Sequence, residues 1–305
     1  AWKIAPALAY GNTVVFKPAE LVPACGWALA EIISRCGLPA GAFNLVMGSG
    51  REVGQTLVDS TLVNALSFTG SVATGERILQ GTAARRAKVQ LEMGGKNPLV
   101  VLADADLETA VECALQGSFF STGQRCTASS RLIVQAAVHD TFVARLRERM
   151  SLLKVGHALD RGVDIGPVVD SDQLEQNQDY LAVARNEGAE QVCGGELLER
   201  PTPGHYMNPA LLLAKPEHRV AREEIFGPVA CVLRADDYDH ALALANDTPF
   251  GLCAGICTTS LKHAMHFKRH ADVGMTMVNL PTAGVDFHVP FGGRKGSSYG
   301  PREQG

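Results

Sequence analysis

The chain has no apolar run approaching the roughly 20 residues that cross a bilayer, which excludes a spanning helix of that kind. It has no Cys-x-x-Cys pair, so zinc-ribbon and thioredoxin-like readings fail. Strong charge of either sign is also missing. The 28 Lys and Arg nearly balance 32 Asp and Glu, and the net charge of -4 asks for neither nucleic acid nor an anionic membrane. The start, Ala1-Trp2-Lys3-Ile4-Ala5-Pro6, lacks the basic region, apolar stretch and cleavage site of a secretory signal. It also lacks an initiator Met, and Pro301 to Gly305 still lies inside motif-like sequence, so both ends read as cut. The cysteines (Cys25, Cys36, Cys113, Cys126, Cys193, Cys231, Cys253 and Cys257) follow no disulfide spacing, which points to a reducing cytoplasm. Cys253 and Cys257 are four apart, but no His or Cys pair follows at ligand spacing, and no metal is expected.

What is present is an ordinary globular composition, 46% hydrophobic and 20% charged over 305 residues, a length that suits two packed lobes. Short apolar strands alternate with amphipathic helices. Strands are expected at 13–16, 42–46, 63–68 and from 89, and helices at 23–36, 50–58 and, after an N-cap at Ser71, up to about Ala84. Gly37 and Pro39 should stop the second of these segments. A second unit follows, with strands at 97–102, 131–134, 189–193, 229–233 and 253–257. Its helices are expected at 106–116, 138–153, 172–187, 238–246 and 261–269, and a Gly/Asp/Pro-rich loop at 156–169. Alternation with short connections predicts an α/β class with parallel sheets and helices on both faces. The lobe boundary falls near Glu92–Gly95, where Met93-Gly94-Gly95 breaks the strand pattern.

Five segments can carry chemistry. In Gly123-Gln124-Arg125-Cys126-Thr127 a cysteine follows a glycine turn and neighbours an arginine, a setting that raises the thiolate fraction, although a single Cys is more often structural. In Leu91-Glu92-Met93-Gly94-Gly95-Lys96 a carboxylate at a strand end precedes two glycines. Burial there would lift its pKa toward that of a general base; a surface Glu before a turn is the plainer alternative. Gly48-Ser49-Gly50-Arg51-Glu52-Val53-Gly54 and Phe68-Thr69-Gly70-Ser71 both lie between a strand and a helix. Either can cradle a pyrophosphate on free N–H groups, or be a plain tight turn. Lys17-Pro18-Ala19-Glu20 follows the first strand, where Lys and Glu can hold ribose hydroxyls or simply be solvated.

Taken together and in order, these segments resemble the aldehyde dehydrogenase superfamily. Trp2–Ala9 with Gly11–Glu20 looks like its coenzyme-domain signature, and Phe68–Ser71 like its phosphate loop. Leu91–Pro98 looks like its glutamate signature and Phe119–Cys126 like its cysteine signature, with the family's separation of 34 residues between Glu92 and Cys126. Glu223–Val229 is similar to its ribose-contacting segment and Pro290–Lys295 to its late segment.

The resemblance implies a partial Rossmann-like coenzyme domain over residues 1–93, an α/β catalytic domain over 94–290, and the start of a C-terminal return segment over 291–305. It implies that the Cys126 thiolate attacks an aldehyde carbon, that hydride passes to NAD, and that Glu92 activates water to hydrolyse the resulting thioester. The backbone N–H of Cys126 should be one oxyanion donor. Lys17 and Glu20 should hold the adenosine ribose, Gly70 and Ser71 the pyrophosphate, and Glu224 with Phe226 the nicotinamide ribose side. Glu20 would accept from a free 2′-hydroxyl and repel a 2′-phosphate, and Ala19 offers no hydroxyl, which favours NAD over NADP.

The family's second oxyanion donor, an Asn upstream of Trp2, and its C-terminal pairing strand, implying a homodimer or homotetramer, lie outside this chain. Ser121 stands where Asn is frequent. Gly293–Gly305 and Thr282–Pro290 are similar to the α-ketoglutarate semialdehyde (2,5-dioxopentanoate) dehydrogenase branch, with Phe287 or His288 expected at the aldehyde mouth. Other semialdehydes or aromatic aldehydes are the alternatives. A CoA-acylating relative would lack Glu92, and an NAD-independent esterase would not need Lys17, Glu20 and Glu224. A silent fragment or binding module would form no NADH.

Overall fold

The structure, a computed structural model, describes residues 1–303. They divide into two compact units. The first holds Ala1–Glu92, Phe287–Phe291 and the chain from Tyr299 onward; the second holds Met93–Asp286 and Gly292–Ser298. The segment 291–305, expected as a separate return, is therefore split between the two, because the chain crosses back after Phe291 and again after Ser298. Gln304 and Gly305, the last residues of that expected segment, lie outside the described residues.

The first unit runs α1 (Ile4–Ala9), β1 (Val14–Phe16), α2 (Pro23–Ser34), β2 (Phe43–Leu45), α3 (Gln55–Asp59), β3 (Ala65–Thr69), α4 (Val72–Ala83) and β4 (Lys88–Glu92). β1 pairs parallel with β2, and β3 with β4. The helix expected from Gly50 opens instead as a π turn over Gly50–Gly54. Ser49 Oγ takes the Glu52 N–H and the Ser49 carbonyl accepts from Gly54, five residues on, which widens the first turn before α3 begins. Ser71 caps α4 as expected, its side chain accepting from the Thr74 N–H.

The second unit runs β5 (Asn97–Val101), α5 (Leu107–Phe119), β6 (Ser129–Gln135), α6 (His139–Ser151), α7 (Ser171–Asn186), β7 (Glu190–Cys193), β8 (Leu197–Leu198), β9 (Tyr206–Met207), β10 (Ala210–Leu213), α8 (Arg219–Arg222), β11 (Val229–Ala235), α9 (Tyr238–Asn246), β12 (Phe250–Gly251), β13 (Cys253–Cys257), α10 (Leu261–His270) and β14 (Met275–Val278). Among the described residues seven strands form its main sheet, in the order β14-β13-β5-β6-β11-β10-β7, parallel except for β7 at one edge. β10 and β14 are not among the expected strands: β10 is a short apolar run followed directly by Ala214, β14 carries Thr276 between Gly274 and Asn279, and sheet pairing makes each a strand.

Every residue of β5 is buried, as expected for an inner parallel strand covered on both faces. Leu99 and Val101 face one core with Leu132, Val134 and Phe142; Val100 faces the other with Ile133, Leu233 and Phe267. Burying each such side chain contributes about 1.5–3 kcal/mol. Asp106, Asp170, Asp237 and Ser260 cap α5, α7, α9 and α10 through their side chains, so four helix starts are written locally in the sequence. Among the described residues no helix is long and apolar enough to cross a membrane.

Candidate active site

Cys126 lies in the second unit, on the loop that carries the chain from α5 back into the sheet at β6. The loop begins with Ser121, Thr122 and Gly123 consecutively left-handed, at φ of 54°, 59° and 63°. Two of these are not glycine, a conformation that persists only where surroundings enforce it. The buried Thr122 hydroxyl donates toward the Gly166 and Pro167 carbonyls at 3.3 Å. Gln124 accepts the Val169 N–H at 3.1 Å. Gly123 has no alternative: a Cβ there would lie 2.2 Å from the Gly227 carbonyl oxygen. Gly123→Ala is expected to cost about 2–5 kcal/mol, combining backbone strain with overpacking. Gly162→Ala, equally left-handed (φ 78°) but with nothing within 4 Å, is the control and should cost about 1 kcal/mol. Equal losses in denaturant unfolding would show that the Gly227 contact carries no weight.

Beyond the turn, Asn97 fixes the cysteine's backbone. Its amide donates to the Cys126 carbonyl at 2.7 Å and the Ala128 carbonyl at 2.9 Å, while its oxygen accepts the Cys253 N–H at 3.1 Å. Thr282 donates to the Thr127 carbonyl at 2.7 Å. The Cys126 carbonyl is thus held inward, and the side chain is half-buried. Arg125 is exposed and donates to Ser121 Oγ at 2.6 Å, so the residue at the position where Asn is frequent anchors the loop's arginine.

Glu224 sits on the loop between α8 and β11, and packs on the glycine pair that follows the candidate base. The Gly95 N–H donates to Glu224 Oε1 at 2.8 Å, and a Cβ on Gly94 would lie 2.1 Å from Oε2. Burial raises the Glu224 pKa, while the Gly95 N–H and the Lys96 charge act in the opposite direction. Its neighbour Phe226 is left-handed at φ 57°. Glu224 and Phe226 line one cleft with Gly123 and Arg125 of the cysteine loop, so two segments a hundred residues apart converge here. Sequence gave no geometric sign of this docking.

The expected adenosine and pyrophosphate contacts lie in the first unit. Lys17 donates to the Pro18 carbonyl at 2.6 Å and the Gly48 carbonyl at 3.3 Å, and Glu20 accepts the Gly50 N–H. The turns after β1 and β2 therefore meet at the carboxyl edge of a parallel pair, where nucleotides bind in such sheets. A cation, a carboxylate and a glycine turn at one edge fit a ribose and its phosphate. At α4 the Ser71 hydroxyl is engaged as the cap, so an anion at this helix start would have to be met by first-turn N–H groups. Gly70 donates to the Glu92 carbonyl at 3.1 Å, and a Cβ there would meet the Phe68 ring at 2.4 Å.

Glu92 ends β4 and is 3% exposed. Gln90 Nε2 donates to its Oε1 at 3.2 Å. The same amide donates to Glu303 at 3.3 Å, and Lys3 donates to Gln90 Oε1 at 2.7 Å, to Ser67 Oγ at 3.0 Å and to Glu303. Sequence reasoning missed this polar chain of Lys3, Ser67, Gln90 and Glu303. Its one signal was the alternation along β4, which puts Gln90 on the same face as Glu92. Phe287 is 76% exposed, with its ring edge-on to His288 at 5.4 Å.

The chain thus combines parallel α/β sheets, a strained cysteine loop and a glutamate at a strand end before two glycines. The aldehyde dehydrogenase family model matches residues 1–305, and the chain belongs to that family. It is 45% identical over 308 residues to an α-ketoglutaric semialdehyde dehydrogenase of Bacillus subtilis, covering 100% of this chain and 63% of that protein. It is 42% identical over 302 residues to a betaine aldehyde dehydrogenase of Mesorhizobium japonicum, covering 98% and 62%. The crystal structure of betaine aldehyde dehydrogenase from Staphylococcus aureus in complex with NAD+ superposes with a TM-score of 0.96 at 34% identity, over 99% of this chain and 60% of that one. The chain thus spans about three-fifths of the length of the relatives it matches.

Proposed function

We propose that the protein oxidises an aldehyde to a carboxylic acid with NAD+, NADP+ being the lesser fit, and that α-ketoglutarate semialdehyde is its substrate. The observation that carries the reaction is the Cys126 loop, whose left-handed turn and held carbonyl fix a half-buried cysteine next in sequence to Arg125, which lines a cleft with Glu224. The Cys126 thiolate adds to the aldehyde carbon and the carbonyl oxygen becomes an alkoxide, stabilised by the Cys126 N–H. As the alkoxide collapses, hydride leaves that carbon; NAD+, when bound, is the two-electron acceptor. The carbon is then a thioester. Glu92 takes a proton from water, the hydroxide displaces the thiolate, and the carboxylic acid leaves. Lys17, Glu20, Gly70 and Ser71 hold the adenosine and pyrophosphate side of the cofactor, and Glu224 and Phe226 its nicotinamide ribose side. The full-length protein is read as a homodimer or homotetramer.

Similarity to the Bacillus subtilis enzyme supports the semialdehyde. The betaine aldehyde dehydrogenases among its relatives favour a second reading, a cationic quaternary-ammonium aldehyde. The two substrates differ in charge at the end remote from the aldehyde. NADH formation with 2,5-dioxopentanoate and with betaine aldehyde, each over a range of concentration, decides between them. We expect kcat/KM at least about tenfold higher for the semialdehyde, which is about 1.4 kcal/mol of transition-state discrimination. The reverse order would replace the first reading by the second.

A further inference from the structure

Lys96 enters β5 directly after the Gly94-Gly95 pair, is 1% exposed, and its ammonium has no hydrogen-bond partner among the described residues. An unpartnered buried cation is unfavourable enough that its retention needs a physical reason. The groups acting on it can all be named. Glu224 and Glu223 attract it, Arg131 of β6 repels it, and the polarisable sulfur of Cys231 on β11 favours its charged form. Arg131 offers no compensation, since it is a second buried cation that donates to the Leu244 carbonyl. Glu223 is already held by Arg219, through two hydrogen bonds, and by the Tyr180 hydroxyl. Glu224 is different. Its contacts are the Gly95 N–H and the charge of the very next residue, and Arg125 lines its cleft.

We propose that Lys96 is a positioning residue for Glu224: buried directly after the Gly94-Gly95 turn, it holds the carboxylate as an anion seated on Gly95, ready to accept cofactor ribose hydroxyls. This rests on reading Glu224 as a ribose contact. Burial alone drives Glu224 toward its protonated form, which would turn an acceptor into a donor. Lys96 opposes that. Its own pKa is lowered to about 8, chiefly by burial, so it stays charged through neutrality. The sign follows. Without Lys96 the Glu224 pKa climbs further, protonation sets in at higher pH, and the loss of cofactor affinity grows as pH falls.

The test is NAD+ binding by calorimetry between pH 6 and 8.5, with kcat measured alongside. Lys96→Met should weaken NAD+ binding several-fold at pH 6, where the neutral carboxyl is favoured, and by much less at pH 8.5. kcat at saturating NAD+ should change far less than the affinity does. Lys96→Arg should restore the wild-type pH profile, and Lys96→Gln serves where the Met variant does not fold. Adding Lys96→Met to Glu224→Gln should weaken binding no further than Glu224→Gln alone. A pH-independent loss in Lys96→Met, or losses that add in the double variant, would mean that Lys96 is only structural, with the Glu224 reading intact. Unchanged binding in Glu224→Gln itself would remove the ribose reading and this inference with it.

Discussion

Replacing Cys126 by serine is expected to reduce aldehyde-dependent NADH formation by about 10³-fold or more while leaving the fold intact. The substitution keeps the size of the side chain and every backbone contact of the loop. Asn97 still holds the carbonyl at residue 126, and Thr122 and Gln124 still hold the turn. What disappears is acidity. A thiol titrates within reach of neutral pH, whereas a serine hydroxyl needs a partnered base to become a nucleophile. Unfolding midpoints within experimental error, together with lost turnover, would locate the chemistry at the sulfur. Appreciable turnover in the serine variant would remove Cys126 from the mechanism. Three of the other cysteines are poor substitutes. Cys231, Cys253 and Cys257 are almost fully buried, and burial pushes the thiols of Cys231 and Cys253 up, away from ionisation.

Glu92→Gln should separate the two halves of the reaction. Hydride departs before water is needed, so the variant should release a burst of about one NADH per active site and then stall. Steady-state turnover is expected to drop by about 10²–10⁴-fold, the usual worth of a positioned general base. The amide keeps the volume of a side chain that is 3% exposed and can still face Gln90, so the strand end should remain in place. Mass spectrometry of the quenched protein should find the acyl group on the Cys126 peptide. If the burst is absent and the first turnover is as slow as the later ones, Glu92 acts before hydride transfer and its assigned role is wrong.

Much of this scaffold is legible in the sequence because its determinants are local. The start of α4 follows from Ser71, and the starts of α9 and α10 from Asp237 and Ser260, since each cap satisfies an N–H three residues on. β13 is found at its expected residues because a short apolar run between Gly251 and Thr258 suits a buried parallel strand. The candidate catalytic residues could be named for a related reason. Chemistry needs a particular side chain beside particular turn residues, and Glu92 before two glycines and Cys126 after one carry that need in a few consecutive letters.

The remainder depends on residues far apart in the chain, and no local preference encodes it. Nothing in Phe119–Gly123 announces three successive left-handed residues; the Gly166 and Pro167 carbonyls and the approach of Gly227 enforce them. The four-residue run of β10 becomes a strand only between β7 and β11. The chain from Lys3 through Gln90 to Glu92 closes only when Glu303, three hundred residues from Lys3, arrives. The sequence by itself determined the α/β class, the capped helix starts and the candidates for the reactive side chains, because caps, periodicity and turn chemistry act over a few residues. The tertiary structure alone decided what those side chains face. Glu224 on Gly95, and the buried charge of the neighbouring Lys96, exist because long-range packing excludes water and sets the electrostatics that local sequence cannot.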